Sequence, residues 1–465
     1  MTAVWLGASA LWIRLDRGLM DGDEAGHVGA AALVRGMLAD GHPLDALATA
    51  LWGDLGEYPG LYPAVVGLWW AALGGGLPGR VAVRALNLAW VWLAAFAAGR
   101  LARRGATRPD LAEGIAFGAG LCLPLANGLG RHFMPEGALT AAVALAWLAL
   151  ARAAEHPSLG RLLAAGAACG LAFLTKQTAL LTLAGPAAWA VWTLRGRAWP
   201  LLGAAAAVAT PWALAALPRQ LDYGARSIGA QADHPLWMHL AYYPVVGAAL
   251  VLGPVLSVAL LGSLAALVRA RLRPTLLVVA LIGGGVALTT VPKKYPRLLA
   301  PLGPAAVALV GLAASRARRP GAWAVTGGAL AGGWLGYASA HTVPLPRLVE
   351  DMDPNCVQIW LGPPQPDAFG LPEVLAAAAA HPGPVAVIAA PEIPCEVETT
   401  LPWIDHLRAA LEYAGLDREV LEVAAGETPP PASVIVDWTG GAGSAVPVPA
   451  LGVTMVLRGS GEEPW

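Results

Sequence analysis

The sequence is poor in charged residues, which make up 13% of its 465 positions, about half of the roughly 25% found in soluble domains. Hydrophobic residues make up 57%, and the mean hydropathy is +0.57. A soluble core could not bury so much apolar surface. The composition therefore excludes an ordinary soluble protein and indicates that most of the chain lies in a lipid bilayer.

Two other features are missing. The net charge is −1 and the basic residues are scattered in twos and threes, which excludes a nucleic acid partner. The four cysteines show no Cys-x-x-Cys or Cys/His metal spacing. Cys122 and Cys169 lie in apolar runs, whereas Cys356 and Cys395 lie in the polar C-terminal part, where a disulfide and two free thiols both remain open.

Apolar runs long enough to cross a bilayer recur through the first three quarters of the chain. We predict about eleven transmembrane helices, the first of them short and uncleaved at 3–13. The apolar stretch 60–77 is rich in Tyr and Trp, so we expect it to lie in the membrane interface without crossing. The other ten spans are predicted at 85–101, 111–129, 137–153, 159–174, 178–194, 200–217, 240–268, 275–291, 298–314 and 322–338.

Loops rich in arginine should face the cytoplasm. Four such loops occur, near residues 100–108, 195–197, 269–273 and 316–319. The loops between them then lie on the outer face, together with the first loop, 21–84. The membrane domain is predicted at 1–339. The remaining 340–465 is predicted to be a small extracytoplasmic α/β domain, because short apolar runs alternate there with helical stretches.

The first outer loop begins with three acids, Asp21, Asp23 and Glu24. Like charges so close together raise the pKa of at least one carboxyl group, which suits a general base. The alternative is a helix N-terminus, where acids balance the dipole. The Asp-x-Asp spacing is also weakly similar to metal-nucleotide sites and leaves a divalent metal ion open.

Further ionisable residues share this outer face: Glu136 at the mouth of one span, Lys176 at the end of another, and the group Lys293, Lys294 and Arg297. Each alone could be interfacial or snorkelling to headgroups. Together, acids that activate an acceptor and cations that hold phosphate fit transfer from an anionic lipid-linked donor. They fit a carrier less well, since carrier charges are expected near the midplane.

The order of these motifs resembles the GT-C superfamily of polyprenyl-phosphate-sugar glycosyltransferases, in particular its protein mannosyltransferase and aminoarabinose transferase branch. The segments that carry the resemblance are Asp23-Glu24 through Gly41, Tyr58-Pro59-Gly60-Leu61-Tyr62-Pro63, Met134-Pro135-Glu136, Gly170 to Lys176, and Tyr295 to Pro304. The chain departs from the family pattern at Glu136, where the family has Asp, and at Gly60, where it has Pro.

The resemblance implies an α-helical GT-C fold and an inverting sugar transfer on the outer face of the bacterial inner membrane. Asp23 would act as base with Glu24 supporting it. The acceptor or donor sugar would contact Tyr58, His132 and Glu136. The donor phosphate would contact Lys176, Lys293, Lys294, Tyr295 and Arg297. The acceptor is a lipid, a polysaccharide or a protein. A flippase for lipid-linked saccharides and a noncatalytic scaffold are the alternative functions.

Overall fold

The structure is a computed structural model of the chain. It describes residues 2–16, 22–52, 58–73, 79–229, 235–271, 275–291, 294–341, 347–348, 364, 371–381, 383–388, 392–393, 401–402, 407–408, 411, 416, 418–423, 434–437, 444–448 and 453–459. Side chains are not described at 22–26, 79–82, 223–229, 275, 371–372, 392–393, 401–402 and 444–448, nor at 453–459 except Leu457.

The membrane part is built from helices joined by short connections. They are α1 (Thr2–Leu15), α2 (Gly22–Ala39), α3 (Pro43–Trp52), α4 (Leu61–Ala72), α5 (Gly79–Arg103), α6 (Pro109–Leu121), α7 (Pro124–Arg131), α8 (Pro135–Glu155), α9 (Leu159–Thr175), α10 (Ala179–Leu194), α11 (Trp199–Gly229), α12 (Leu236–Val246), α13 (Gly253–Arg269), α14 (Thr275–Thr289), α15 (Gly303–Ala314) and α16 (Pro320–Ala340). Short 3₁₀ helices occur at Arg195–Arg197 and Pro296–Leu302, and a π-helical segment at Gly247–Val251.

Proline starts many of these helices. It stands in the first turn of α6, α7, α8, α13, α15 and α16. An amide N–H in the first turn of a helix has no acceptor within that helix, so proline loses no hydrogen bond there. The fixed φ of proline is also close to the helical value. α9 instead begins with a capping serine, since the amide of Arg161 donates to Ser158 Oγ at 3.4 Å.

The chain is a multi-pass membrane protein. Among the described residues, four helices are long and apolar enough to cross a membrane, or six if each of two bent pairs is one span. The four are Val83–Arg103, Pro135–Glu155, Trp199–Asp222 and Pro296–Ala314. Shorter apolar helices include α1 and α4, and at 12 residues α4 would reach only about 18 Å. The number of eleven spans stays a prediction.

Two of the predicted spans are not continuous. The predicted span 111–129 consists of α6 and α7, which meet at an angle of 55°. The predicted span 240–268 consists of Leu236–Val251 and α13, bent by 116°. At this second break Gly253 has a φ of +67°, and Pro254 after it lacks an amide N–H to continue the ladder. Hydropathy alone shows one continuous apolar run here, so it did not predict the break at these two residues.

Small residues set the closest helix contacts. A Cβ at Gly166 would lie 2.1 Å from the carbonyl oxygen of Leu201, so α9 and α11 touch backbone to backbone there. A Cβ at Gly67 would lie 2.8 Å from the carbonyl oxygen of Ala31, so α4 also lies close to α2. Close approach through small residues is the usual way helices associate in lipid. The second contact matters for function, because α2 begins with the predicted catalytic acids.

The described parts of the C-terminal region form a helix, α17 (Leu371–Ala380), and seven strands: β1 (Val385–Ile388), β2 (Glu392–Ile393), β3 (Leu401–Pro402), β4 (Val420–Val423), β5 (Val434–Asp437), β6 (Ser444–Val448) and β7 (Val453–Gly459). β2 pairs with β3, and a five-stranded mixed sheet has the order β4-β1-β5-β7-β6. Cys356 and Cys395 lie outside the described residues. The domain boundary at 339 and the α/β domain as a whole therefore stay predictions.

Candidate active site

Glu136 lies at the centre of a cluster of buried charges. It stands in the first turn of α8, directly after Pro135, and its side chain is completely buried. Its Oε1 accepts a hydrogen bond from Lys176 Nζ at 2.5 Å. Arg297 Nε is 3.6 Å from the same oxygen. Two cations and one carboxylate leave this group with a net positive charge, which favours an anionic ligand.

The second carboxylate oxygen of Glu136 is different. Oε2 is buried, and no donor in the described part of the chain makes a hydrogen bond to it. A buried carboxylate oxygen without a donor costs free energy, and such an atom in a native site calls for an explanation. A hydroxyl or amine of a bound molecule would satisfy it.

Lys176 is held where α9 ends. It is the C-cap residue of that helix and is 3% exposed. Its ammonium lies 4.7 Å from the centroid of the Tyr58 ring, a cation–π distance. The chain contains only three lysines, and all of them were predicted as phosphate contacts. The structure thus joins Lys176, Tyr58 and Glu136, which are far apart in sequence, in one site.

Arg297 reaches Glu136 from the 3₁₀ helix Pro296–Leu302, every residue of which is buried. Its guanidinium lies 4.8 Å from the centroid of the Tyr295 ring. The ring and the guanidinium therefore stabilise each other in the position that meets Glu136. Tyr295 and Arg297, both predicted as phosphate contacts, join the site as a pair.

Aromatic rings form a wall beside these charges. The ring of His27, which is 6% exposed, lies 5.3 Å from Tyr58, 5.8 Å from Tyr62 and 6.4 Å from Phe133 between centroids. Sequence analysis did not select His27. The available signal was its spacing, since it follows Asp23 by four residues and positions four apart share a helix face.

A buried asparagine connects this wall to the turn before Glu136. Asn87 Nδ2 donates to the carbonyl oxygens of His132 at 2.5 Å and Met134 at 3.3 Å. Its Oδ1 accepts from the hydroxyl of Tyr62 at 3.1 Å. Asn87 on α5 therefore fixes both α4 and the backbone that leads into α8. An asparagine inside an apolar run was a signal that the sequence analysis did not use.

The ammonium of Lys294 is engaged by backbone oxygens. It donates to the carbonyls of Leu288, Thr289 and Val291 at the end of α14 and lies 5.1 Å from the ring of Tyr243. Burial lowers the pKa of Lys294 to about 8. In this position Lys294 caps the negative end of a helix and holds the segment that carries Arg297. Its predicted contact with phosphate stays a prediction.

His132 lies in the turn before α8. Its ring packs against Trp12 of α1 at 5.3 Å between centroids, while its carbonyl accepts from Asn87. Its predicted contact with a sugar stays a prediction. Lys293 lies outside the described residues. Asp23 and Glu24 belong to the first turn of α2, but their side chains lie outside the description.

A buried ion pair ties the first loop to the helix bundle. Asp16, just after α1, accepts a hydrogen bond from Arg84 Nη1 of α5 at 2.6 Å, and both side chains are buried. In the sequence, Asp16 follows the apolar run of the first span by three residues. The pair joins the two ends of the segment that contains α2, α3 and α4.

Metal ligands were left open by the sequence. Within the described residues, no group of three or more His, Cys, Asp or Glu side chains could hold a metal ion. The acids whose spacing suggested a divalent ion, Asp21 and Asp23, lie outside the described side chains.

Comparison with known proteins identifies the fold. Residues 64–215 match the family model described as dolichyl-phosphate-mannose-protein mannosyltransferase. A search of the curated proteins gives no significant match. The crystal structure of ArnT from Cupriavidus metallidurans bound to undecaprenyl phosphate superposes with a TM-score of 0.59 at 16% identity, over 94% of this chain and 92% of that one. The apo structure of the same protein gives 0.56 at 17% identity, over the same shares. The resemblance read from the motifs is confirmed, and the chain has the GT-C superfamily fold.

Proposed function

We propose that the chain is a membrane glycosyltransferase that moves a sugar from a polyprenyl-phosphate donor to an acceptor on the outer face of the bacterial inner membrane. The observation that carries this proposal is the buried Glu136, with one oxygen held by Lys176 near Arg297 and the other without a donor. Two cations that can bind a phosphate lie beside this carboxylate, and its second oxygen can accept a hydrogen bond from a sugar hydroxyl.

The comparisons support the donor class. The ArnT structure of the same fold holds undecaprenyl phosphate, and the matched family model is described by its use of a dolichyl-phosphate sugar. The net positive charge of Glu136, Lys176 and Arg297 suits a phosphate with a lipid tail. The apolar helices around this group allow such a tail to stay in the bilayer.

The chemistry needs one base. An acceptor hydroxyl or amine attacks the anomeric carbon, the bond from that carbon to the phosphate oxygen breaks, and the acceptor proton passes to the base. Polyprenyl phosphate leaves as a stable anion, so no acid has to protonate it. A single displacement of this kind inverts the configuration. We assign the base to Asp23, one turn before His27 on α2, and the support of its position to Glu24.

Glu136 then orients a sugar hydroxyl through Oε2, while Lys176 and Arg297 face the phosphate. Tyr58 packs against Lys176 and His27 and provides a flat apolar surface for a sugar ring. Lys294, Tyr295 and the undescribed Lys293 complete the predicted phosphate side. Because phosphate leaves with a full charge, cations placed on it stabilise the transition state more than the ground state.

The test uses full-length protein in vesicles with a radiolabelled polyprenyl-phosphate sugar and a crude envelope acceptor. Asp23→Asn is expected to lower the transfer rate by about 10²- to 10⁴-fold, the contribution of a general base, while donor binding is retained. Asp45→Asn is the matched control, because Asp45 lies in the same loop with a side chain 69% exposed. If the transfer rate of Asp23→Asn equalled that of wild type, Asp23 would not be the base.

A transporter or flippase for lipid-linked saccharides is the second candidate, favoured by the multi-pass fold alone. It predicts that the donor crosses the membrane of sealed vesicles without any new covalent product. Mass spectrometry of the vesicle lipids distinguishes the two, because only transfer releases free polyprenyl phosphate together with a glycosylated acceptor.

A further inference from the structure

Three arginines are buried in the described part of the chain: Arg84, Arg131 and Arg297. Arg84 pairs with Asp16 at 2.6 Å, and Arg297 lies 3.6 Å from Glu136. Arg131, which is 5% exposed, forms no ion pair with a described carboxylate. Buried charges in proteins are normally paired, because an isolated one loses its hydration. Arg131 is thus the exception among the three.

The surroundings of Arg131 satisfy little of its guanidinium. It is the last residue of α7. Its Nη1 donates to Ser339 Oγ of α16 at 2.7 Å, and its Cζ lies 5.5 Å from the ring centroid of Trp12 of α1. Its Nε is buried and has no acceptor among the described residues. An arginine has five N–H donors, so the protein leaves most of its bonding capacity to another molecule.

A purely structural role does not balance this burial. The hydrogen bond to Ser339, the carbonyls at the end of α7 and the face of Trp12 each stabilise the cation in part. The loss of hydration of a buried ion is larger than gains of this kind. These contributions fall short of the cost unless an anion shares the site.

The position of Arg131 indicates the kind of anion. Helices α1 and α16, which enclose it, also expose apolar side chains, among them Leu11 at 57% and Tyr337 at 43%. The site therefore borders a surface that faces lipid. A guanidinium matches a phosphate with two parallel hydrogen bonds, and lipids carry phosphate at the level where spans end.

We infer that Arg131 binds the phosphate group of a membrane lipid at a site between α1, α7 and α16, which carry Trp12, Arg131 and Ser339. Ser339 supports the guanidinium and Trp12 forms the floor. The ring of His132 packs on the same Trp12. The lipid is either a polyprenyl phosphate or a glycerophospholipid. The inference does not depend on sugar transfer, because either lipid could bind to a chain without activity.

The experiment measures thermal unfolding of the full-length protein in neutral detergent. Three lipids are titrated separately: undecaprenyl phosphate, phosphatidylglycerol and, as a phosphate-free control, dioleoylglycerol. Wild-type protein is expected to gain stability with a phosphate lipid and not with dioleoylglycerol. For Arg131→Gln, the lipid concentration that gives half of this gain is expected to be higher by roughly tenfold or more. Without lipid, the variant should be at least as stable as wild type, because it removes an unpaired charge.

Control variants make the result decisive. Arg152→Gln changes an exposed arginine of α8 and should leave the lipid response intact. Ser339→Ala and Arg131→Lys keep the cation and should give intermediate responses, which preserves the test if Arg131→Gln does not fold. Arg297→Gln should lose transfer activity but keep the stabilisation by phosphatidylglycerol, which is not a polyprenyl phosphate, and this separates the inference from the proposed function. If Arg131→Gln and wild type need the same concentration of each phosphate lipid for half of the gain, the inference is overturned. The phosphate lipid whose half-effect concentration rises in Arg131→Gln identifies the source.

Discussion

At the scale of single residues, charge balance around Glu136 determines how stable the site is. Removing the carboxylate leaves Lys176 and Arg297 buried without their partner. Breaking a buried ion pair from one side typically costs about 3–5 kcal/mol. We therefore expect Glu136→Gln to lower the free energy of unfolding by about 3 kcal/mol, measured by denaturant titration in mixed micelles.

A double-mutant cycle checks the cause. Lys176→Met added to Glu136→Gln removes one stranded cation, so the double variant should be less destabilised than the sum of the two single variants. The exposed pair Arg104 and Glu155 is the control, where Glu155→Gln should cost no more than about 1 kcal/mol. Additive effects at Glu136 and Lys176 would show that the two side chains do not interact.

Lys294 provides a prediction about pH. Its pKa in the folded protein is about 8, whereas a lysine in the unfolded chain has a pKa of about 10.4. Between these values the unfolded state binds more protons, so stability should rise with pH from 8 to about 10.4. We expect wild type to gain melting temperature relative to Lys294→Met across that window. Lys294→Arg keeps its charge over this pH range and should show no such gain. If the melting temperature of wild type alone fell over this range, that result would contradict the burial of Lys294.

Single residues also show what could be read from the sequence. Glu136, Lys176 and Arg297 were predictable, because an ionisable residue at the end of an apolar run is costly and rare. His27 and Asn87 were missed, since their signals, a helical spacing and an asparagine in an apolar run, do not show that α4, α5 and α8 meet around them. Lys294 was placed in the right region, but its bonds to the carbonyls of α14 depend on how the chain turns after that helix.

At the scale of elements, the contact between α2 and α4 controls where the predicted base stands. A Cβ at Gly67 would lie 2.8 Å from Ala31 O and 3.0 Å from Val34 Cβ, so Gly67→Ala should push the two helices apart. We expect a loss of transfer rate of about tenfold or more, because small misplacement of a catalytic group is costly, measured in the vesicle assay.

Gly36 is the matched control for that prediction. It lies on α2 with no atom within 4 Å of an added Cβ, and Gly36→Ala should leave transfer unchanged and favour the helix slightly. If Gly67→Ala is as active as Gly36→Ala, the spacing of α2 and α4 does not position the base.

The helices themselves were predictable to different degrees. Spans such as 137–153 were predicted close to the observed α8, because a long apolar run flanked by proline and charge leaves few choices. The breaks inside 111–129 and 240–268 were not. Proline and glycine are tolerated within membrane helices as often as they break them, so Pro124 and Gly253 became decisive only through the packing of neighbouring elements. The break after α6 brings α7, and with it Arg131, to its position.

At the scale of the whole molecule, the site works only if its pieces face one side of the membrane. The arginines near 100–108 and 195–197 predict that the loops between helices lie on alternate faces. In that arrangement the loop between α2 and α3 and the end of α14 both lie outside, with Glu136. The buried pair of Asp16 and Arg84 would then hold the first loop on that face from both of its ends.

Cysteine labelling of intact cells tests this arrangement. In a variant without the four native cysteines, His42→Cys and Thr290→Cys place single thiols at exposed positions predicted to be outside, and Gly196→Cys places one between Arg195 and Arg197, predicted to be inside. A membrane-impermeant maleimide should label the first two at once and the third only after permeabilisation. Labelling of Thr290→Cys only in permeabilised cells would separate Arg297 from the outer face. Because Arg297 and Glu136 touch, that result would move the entire site to the cytoplasmic side and require a donor made and used there.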